Sequence, residues 1–365
     1  MVLIMYKYHL EDVEWRDFFV GGEEGIFDIK STKSGIDKNK LNVEEGTIPY
    51  ITRSDGDNGI NLFVTDEQNE KYKMDQGNVI TIGLDTQTVF YQANPFFTGQ
   101  NIQVLRRDDL NENISMFIIP LIKIQMEKFN WGGNGATLSR LNGTKIMLPI
   151  DKFNNPNWFF MGEYIKERKN KQREELKDYY KNRLLDLVIS PEILTDVDWG
   201  EFFLGDVFSI DTKPSKGLNH LIKADRKGIP YVGATNRNNG VLDFVEKDSK
   251  LQYEGNCIAF IRNGEGSMGY SIYKRESFIA TQDISVGYNE NLNEYSAKFI
   301  TTIADRVRGK YTFGYKRNQA RLKKEILTLP IDKDRNPNWT YMESFIKNIE
   351  QKQIKNILKY LDEYI

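Results

Sequence analysis

The chain has 365 residues, 39% of them hydrophobic and 28% charged, with 50 Lys and Arg against 52 Asp and Glu and a formal net charge of −2. That balance excludes a bulk polycation, so any binding to nucleic acid must come from locally arranged cations. No apolar run approaches the ~20 residues of a membrane span, and one cysteine with two histidines excludes a Cys/His zinc site. The length suits two domains, each large enough to bury its own core.

The amino-terminal run Met-Val-Leu-Ile-Met-Tyr-Lys-Tyr-His9 is too short for a signal peptide and has no small-residue cleavage site after it. Cys257 lies in an apolar run and has no second cysteine to pair with, as expected of a protein kept in a reducing compartment. A cytoplasmic protein is expected.

The chain repeats itself. Residues 13–20 read Val-Glu-Trp-Arg-Asp-Phe-Phe-Val and residues 197–204 read Val-Asp-Trp-Gly-Glu-Phe-Phe-Leu. This is an apolar entry segment, expected to dock onto a sheet. Gly46-Thr-Ile-Pro-Tyr-Ile-Thr-Arg-Ser-Asp-Gly-Asp-Asn-Gly59 has its partner in Gly228-Ile-Pro-Tyr-Val-Gly-Ala-Thr-Asn-Arg-Asn-Asn-Gly240. In each, a short strand leads into a polar loop closed by Asn-Gly, the dipeptide that tolerates positive φ in tight turns. Arg53 and Asn58 in the first loop, and Arg237 and Asn238 in the second, can donate to phosphates or read base edges. A solvated hairpin turn is the plain alternative.

Gly77-Asn-Val-Ile-Thr-Ile-Gly and Gly255-Asn-Cys-Ile-Ala-Phe-Ile read as short strands after Gly-Asn turns. The segments after them diverge: Leu84 to Thr98 in the first copy, and the glycine-rich Arg262-Asn-Gly-Glu-Gly-Ser-Met-Gly-Tyr270 in the second. Gln100-Asn-Ile-Gln-Val and Gln282-Asp-Ile-Ser-Val realign as half-buried strands. Helical spacing follows over 114–129, with Phe117, Leu121, Ile124 and Met126 near one face, and over 295–309, with Phe299, Ile300 and Ile303. The copies then part again, into Trp131-Gly-Gly-Asn-Gly-Ala-Thr-Leu-Ser-Arg140 and Tyr311-Thr-Phe-Gly-Tyr-Lys-Arg-Asn-Gln-Ala-Arg321. Interleaved aromatic, glycine, amide and basic residues suit a loop pressed against nucleic acid, which makes Arg140, Lys316, Arg317 and Arg321 candidates. An ordinary basic surface loop is the alternative.

Each copy ends in its strongest landmark. Leu148-Pro-Ile-Asp-Lys-Phe-Asn-Asn-Pro-Asn-Trp-Phe-Phe-Met161 returns as Leu329-Pro-Ile-Asp-Lys-Asp-Arg-Asn-Pro-Asn-Trp-Thr-Tyr-Met342, and the tryptophans lie 339 − 158 = 181 residues apart. Pro-Asn before each tryptophan predicts a helix start, with Asn157 and Asn338 as N-caps. The first helix runs to Leu184, Leu185 and Leu187 and is stopped by Pro191. The second carries a stripe of Trp339, Met342, Ile346, Ile349, Gln353, Ile357, Leu361 and Tyr364. About 30 residues make a rod of roughly 45 Å. Such a rod needs a partner, and the two helices pairing with each other is the simplest one.

The expected fold class is α+β: two tandem α/β domains at 1–155 and 191–336, each followed by a long helix, at 156–190 and 337–365. These landmarks together resemble the DNA-specificity (S) subunit of type I restriction–modification systems, or the similar S subunit of type IIB (BcgI-like) systems, over almost the whole chain. The resemblance implies two target-recognition domains that each read one half of a bipartite site in double-stranded DNA. It further implies helices paired antiparallel as a coiled coil that sets the unread spacer. Those helices would dock methyltransferase subunits, with a fused or separate nuclease, through Trp158, Met161, Trp339 and Met342 at their heads.

Catalytic signatures are weak. Asn94-Pro-Phe-Phe97 faintly resembles the Asn-Pro-Pro-Tyr/Phe motif of amino-methyltransferases, but it lacks the second proline and has no equivalent in the second copy. Gly264, Gly266 and Gly269 lack the Gly-Lys-Ser/Thr ending of a phosphate loop. His9 and His220 are the only histidines and suggest no Ser/His/Asp set. No catalytic residue, cofactor or metal is expected. A sequence-reading DNA-binding subunit leads; a nuclease or methyltransferase subunit with a degenerate site, and a protein-only scaffold, are the alternatives.

Overall fold

The computed structural model describes residues 7–129, 135–187, 197–225, 227–312 and 314–363. The expectations for Met1–Tyr6, Trp131–Asn134, Pro191, Phe313 and Tyr364 lie outside the described residues. Two compact units divide the chain, Met1–Leu176 and Lys177–Ile365.

The first unit holds β1 (Trp15–Phe19), β2 (Asp28–Ser31), β3 (Ile48–Ile51), β4 (Ile60–Val64), β5 (Val79–Gly83), β6 (Val89–Gln92), β7 (Phe97–Thr98) and β8 (Ile102–Arg106). Then come α1 (Glu112–Met126), α2 (Leu138–Asn142) and β9 (Lys145–Pro149), before the long helix α3 (Trp158–Asp186). In the second unit β10 (Trp199–Phe203) is followed by α4 (Leu204–Val207), β11 (Ser209–Asp211), β12 (Ile229–Val232), β13 (Val241–Val245) and β14 (Gln252–Tyr253). β15 (Cys257–Ile261), β16 (Ser271–Lys274), β17 (Phe278–Ala280) and β18 (Ile284–Tyr288) come next. The unit closes with α5 (Glu294–Ala304), α6 (Gln319–Lys323), β19 (Ile326–Pro330) and α7 (Trp339–Glu363).

The repeat is therefore structural. Each unit has an antiparallel four-stranded sheet, β2-β8-β5-β6 or β11-β18-β15-β16. A second sheet, β4-β3-β7 or β13-β12-β17-β14, contains one parallel pair, β3 with β7 and β12 with β17. Every residue of β5 and of β15 is buried. Both strands start from a Gly-Asn turn that the sequence dictates. Asn78 and Asn256 have φ of 56° and 52°. A Cβ on Gly77 or Gly255 would fall 2.2 or 2.1 Å from the carbonyl oxygen of Ala93 or Arg275, so only glycine fits. Cys257 opens β15 fully buried, and burial pushes its thiol up to about 12.

The entry segment pairs with the last strand of its unit, β1 with β9 and β10 with β19. Its tryptophan docks on a helix rather than on the larger sheet: Trp15 stacks on Phe117 at 6.2 Å and Trp199 on Phe299 at 6.3 Å. On α1 the buried face is Ile114, Phe117, Ile118, Ile122 and Met126, while Ile124 is exposed. A four-residue step from Ile114 keeps the stripe on the core, and Ile124 falls off that row. On α5, Phe299 and Ile300 are buried and Ile303 packs beside them, as expected.

The repeated landmark is a strand-to-helix adaptor. Asp151 accepts from the backbone N–H of Phe153 and Asn155 at 2.8 and 2.9 Å, and Asp332 from Asp334 and Asn336 at 3.0 and 2.9 Å. Proline then pairs back, Ile150 with Pro156 and Ile331 with Pro337. Asn157 caps the N–H of Phe160 and Asn338 that of Tyr341, each at 3.0 Å. Met161 and Met342 are fully buried in the cores of their own units. This corrects their assignment as docking residues: no partner can reach them. Trp158 and Trp339 are half-buried, edge-on to Phe27 and Phe208 at 6.4 Å.

The long helices also correct two details. Leu185 is 77% exposed while Leu187 is buried. On α7 the covered positions include Ile354 and Leu361, whereas Ile349 and Gln353 are exposed. Within the second unit the last turns of α3 run antiparallel to α7. Lys177 pairs with Asp362 at 2.7 Å, and Arg183 pairs with Glu350 at 2.7 Å and Glu294 at 3.1 Å. Among the described residues, no helix is long and apolar enough to cross a membrane.

The cap is testable. Asn338→Ala should lower the stability of the second unit by about 1 kcal/mol, and Asn338→Ser should retain most of it. A urea midpoint that does not move in the alanine variant would contradict the adaptor role.

Candidate nucleic-acid interface

In the second unit three segments meet around a cleft of about 880 Å³, lined by Gly264, Gly266, Tyr270, Arg308, Tyr311 and Lys316 among others. The glycine-rich β15–β16 loop supplies one wall. Gly264, Gly266 and Gly269 have φ of 139°, 69° and 93°, which L side chains rarely adopt. A Cβ on Gly269 would fall 2.9 Å from the Cα of Arg308, so glycine lets the opposite segment seat. Ser267 ties this loop to the one after β12 by donating to the carbonyl of Ala234 at 2.7 Å.

The turn Asp305–Lys310, which extends α5, forms another wall. Burial pushes the Asp305 carboxyl up, and that group accepts the N–H of Ser271 at 2.8 Å. Arg308 lies over the Tyr270 ring at 4.2 Å. Arg306 and Lys310 are exposed, and their side chains make no hydrogen bond or ion pair among the described residues. Beyond them Tyr311 stacks on Tyr315 at 6.0 Å, and the guanidinium of Arg321 covers Tyr315 at 3.8 Å. Stacked aromatic rings, cations and open glycine backbone together match what bases and phosphates require.

Beneath this surface lies an ionic strut. Arg317 is fully buried and grips Glu325 with two bonds, Nε to Oε1 at 2.7 Å and Nη2 to Oε2 at 2.6 Å. Its Nη1 donates to the Tyr270 carbonyl at 3.2 Å. Tyr311 donates to Glu325 at 2.6 Å; burial and this bond both push its hydroxyl pKa up, so it stays a donor. Arg317 is thus corrected from a DNA-reading candidate to a support: its guanidinium is enclosed and bonded within the protein.

The first unit builds the corresponding region differently. Its β5–β6 turn is short. Arg53 pairs with Asp85 in that turn, and Asn101 donates to the same carboxylate at 3.3 Å. The Ala136 N–H bonds the Leu84 carbonyl at 3.1 Å, and Arg140 donates to the Gly135 carbonyl at 2.8 Å. Arg53 and Arg140 therefore flank one short turn. Asn58, with φ of 55°, bonds the Tyr91 carbonyl at 2.9 Å and lines a separate groove with Phe63, Phe90 and Lys123. Phe96 and Phe97, from the Asn-Pro-Phe-Phe stretch, are buried core residues.

Of the second unit's remaining candidates, Arg321 also donates to the Lys316 carbonyl at 2.7 Å. Lys316 is exposed at the cleft. Arg237 and Asn238 are exposed on the loop after β12, and the Arg237 side chain makes no hydrogen bond or ion pair among the described residues. The structural counterpart of Asn58 is Asn239, with φ of 52°, rather than Asn238. Arg306, Arg308 and Lys310 escaped notice in the sequence. Their signal is basic residues at alternate positions ending in Arg-Gly-Lys, directly after a helix. Among the described residues no group of His, Cys, Asp and Glu is arranged to hold a metal ion.

A family model described as the type I restriction modification DNA specificity domain matches the chain twice, over residues 13–178 and 196–360. The chain is 30% identical over 334 residues to the specificity subunit S.BcgI of the type II restriction enzyme BgcI from Heyndrickxia coagulans; the match covers 90% of this chain and 93% of that protein. In fold it is similar to the type I restriction–modification S subunit from M. genitalium, with a TM-score of 0.59 and 15% identity, over 96% of this chain and 94% of that one.

The strut is testable by stability. Arg317→Met alone strands the Glu325 carboxylate and should cost roughly 3–5 kcal/mol, and adding Glu325→Leu should recover much of that loss. A single variant as stable as the parent in urea would show that the pair is not enclosed in solution.

Proposed function

This chain belongs to the family of type I restriction–modification DNA-specificity proteins, and from that premise we propose that it reads a bipartite site in double-stranded DNA, one half with each α/β module. The proposed modules are 1–155 and 191–336, with 156–190 and 337–365 as spacer helices. One observation carries the proposal. The two modules share the order of their four-stranded sheets and the pairing of their entry strands, with β14 and α4 added in the second, and their widest difference in sequence falls at one topological place, the β5–β6 or β15–β16 loop and the segment before α2 or α6. Two modules with one scaffold task and two different half-sites would diverge most there.

Affinity comes from cations on phosphates, and because the net charge is only −2, those cations act locally. Specificity comes from arginine and amide groups on base edges. For the second half-site the readers are Arg237, Asn238, Lys316 and Arg321, joined by Arg306 and Arg308. For the first they are Arg53, Asn58 and Arg140.

The helices α3 and α7 pair antiparallel as a coiled coil and fix the unread spacer. The ion pairs Lys177–Asp362 and Arg183–Glu350 have the antiparallel sense this requires. Methyltransferase subunits, with fused or separate nuclease, dock on the apolar residues these helices leave exposed, such as Phe159, Tyr179, Leu185 and Tyr360.

Binding selection from duplexes randomised at every position, with the full chain and its methyltransferase partner, tests the proposal. Arg237→Ala and Arg321→Ala should each relax single positions of one half-site by ~1–3 kcal/mol and leave the other half unchanged. Equal weakening on all sequences would make these residues phosphate contacts; no change in either variant would remove them from the interface.

A further inference from the structure

The last residue of β6 and the last residue of β16 are both polar and both buried: Gln92 is 3% exposed and Lys274 is 0% exposed. Each meets the first residue of the neighbouring central strand, Gln92 opposite Val79 and Lys274 opposite Cys257. Each reaches the same point outside the sheet, the backbone carbonyl of a left-handed asparagine. Gln92 Nε2 donates to the Asn58 carbonyl at 3.2 Å, and Lys274 Nζ donates to the Asn239 carbonyl at 3.4 Å. Those asparagines, with φ of 55° and 52°, sit in the loops after β3 and β12 that carry Arg53 and Arg237.

The chemistry differs while the target does not. Gln92 makes a two-way grip, since Asn58 Nδ2 donates back to its Oε1 at 3.4 Å. Lys274 instead carries a charge into the interior, where Glu276 compensates it at 2.7 Å. Enclosing an ammonium is unfavourable without such a partner. Both asparagines are exposed residues, yet each turns its carbonyl to a buried donor. What two different residues preserve is the pose of the loop.

From this we propose that Gln92 and Lys274 are positioning residues for specificity. Each sets, from beneath, the height and direction at which its module's loop meets the DNA. An amide in one module and a longer ammonium in the other hold the same carbonyl. The proposal rests on the recognition role argued above.

The test is binding selection on duplexes randomised at both half-sites, with the full chain in complex with its methyltransferase partner. Urea unfolding of every variant is followed alongside. Lys274→Met should lower base discrimination about tenfold at positions of one half-site only. Gln92→Leu should do the same for the other half-site. Lys274→Gln, which supplies the donor the first module uses, should recover most of the discrimination that methionine loses.

Unchanged selection profiles in the methionine and leucine variants would overturn the proposal. So would an equal loss at both half-sites, or a glutamine variant no better than methionine. If the parent chain itself selects no split site, the recognition role fails, independently of these two residues.

Discussion

A backbone carbonyl that leaves a sheet for a loop loses its ladder partner and needs another donor. In both units side chains donate to loop carbonyls, alone or beside a backbone N–H. Arg140 serves Gly135, Arg321 serves Lys316, Arg317 serves Tyr270 and Ser267 serves Ala234. Gln92 and Lys274 do the same for the two left-handed asparagines. The loops at the clefts are thus held to rigid elements, and a preorganised loop loses less freedom when a ligand docks. A guanidinium has five N–H donors, so Arg321 can hold a carbonyl with one and still offer others.

The same constraint explains the repeated landmark. Its aspartate folds the turn after the last strand, its proline closes the turn, and its asparagine caps the helix that follows. These roles are local, and each is met by few residue types at its position. That is why the landmark is nearly identical in both copies while the cleft walls are not. Under the proposed function the walls answer to DNA, whereas the adaptor answers only to the chain.

How much was legible in the sequence follows from this division. The duplication, the Gly-Asn turns and the Asn157 and Asn338 caps involve neighbours in sequence and could be read directly. The Arg317 strut could not, because its partners Glu325 and Tyr270 lie 8 and 47 residues away. A run of aromatic and basic residues looks alike whether its arginine faces solvent or a buried carboxylate. Met161 and Met342 misled for a related reason: a residue at the head of a long helix belongs to the core when the helix begins inside it. Arg306 and Arg308 were hidden by a helical pattern that ran on past the true helix end at Ala304.

The chain is therefore one frame used twice, with each copy's loop held from below. A hydroxyl-radical footprint of the full chain with its methyltransferase partner, on a duplex chosen by selection, tests this most directly. Two protected tracts separated by an open one are predicted. One unbroken protected tract would contradict it.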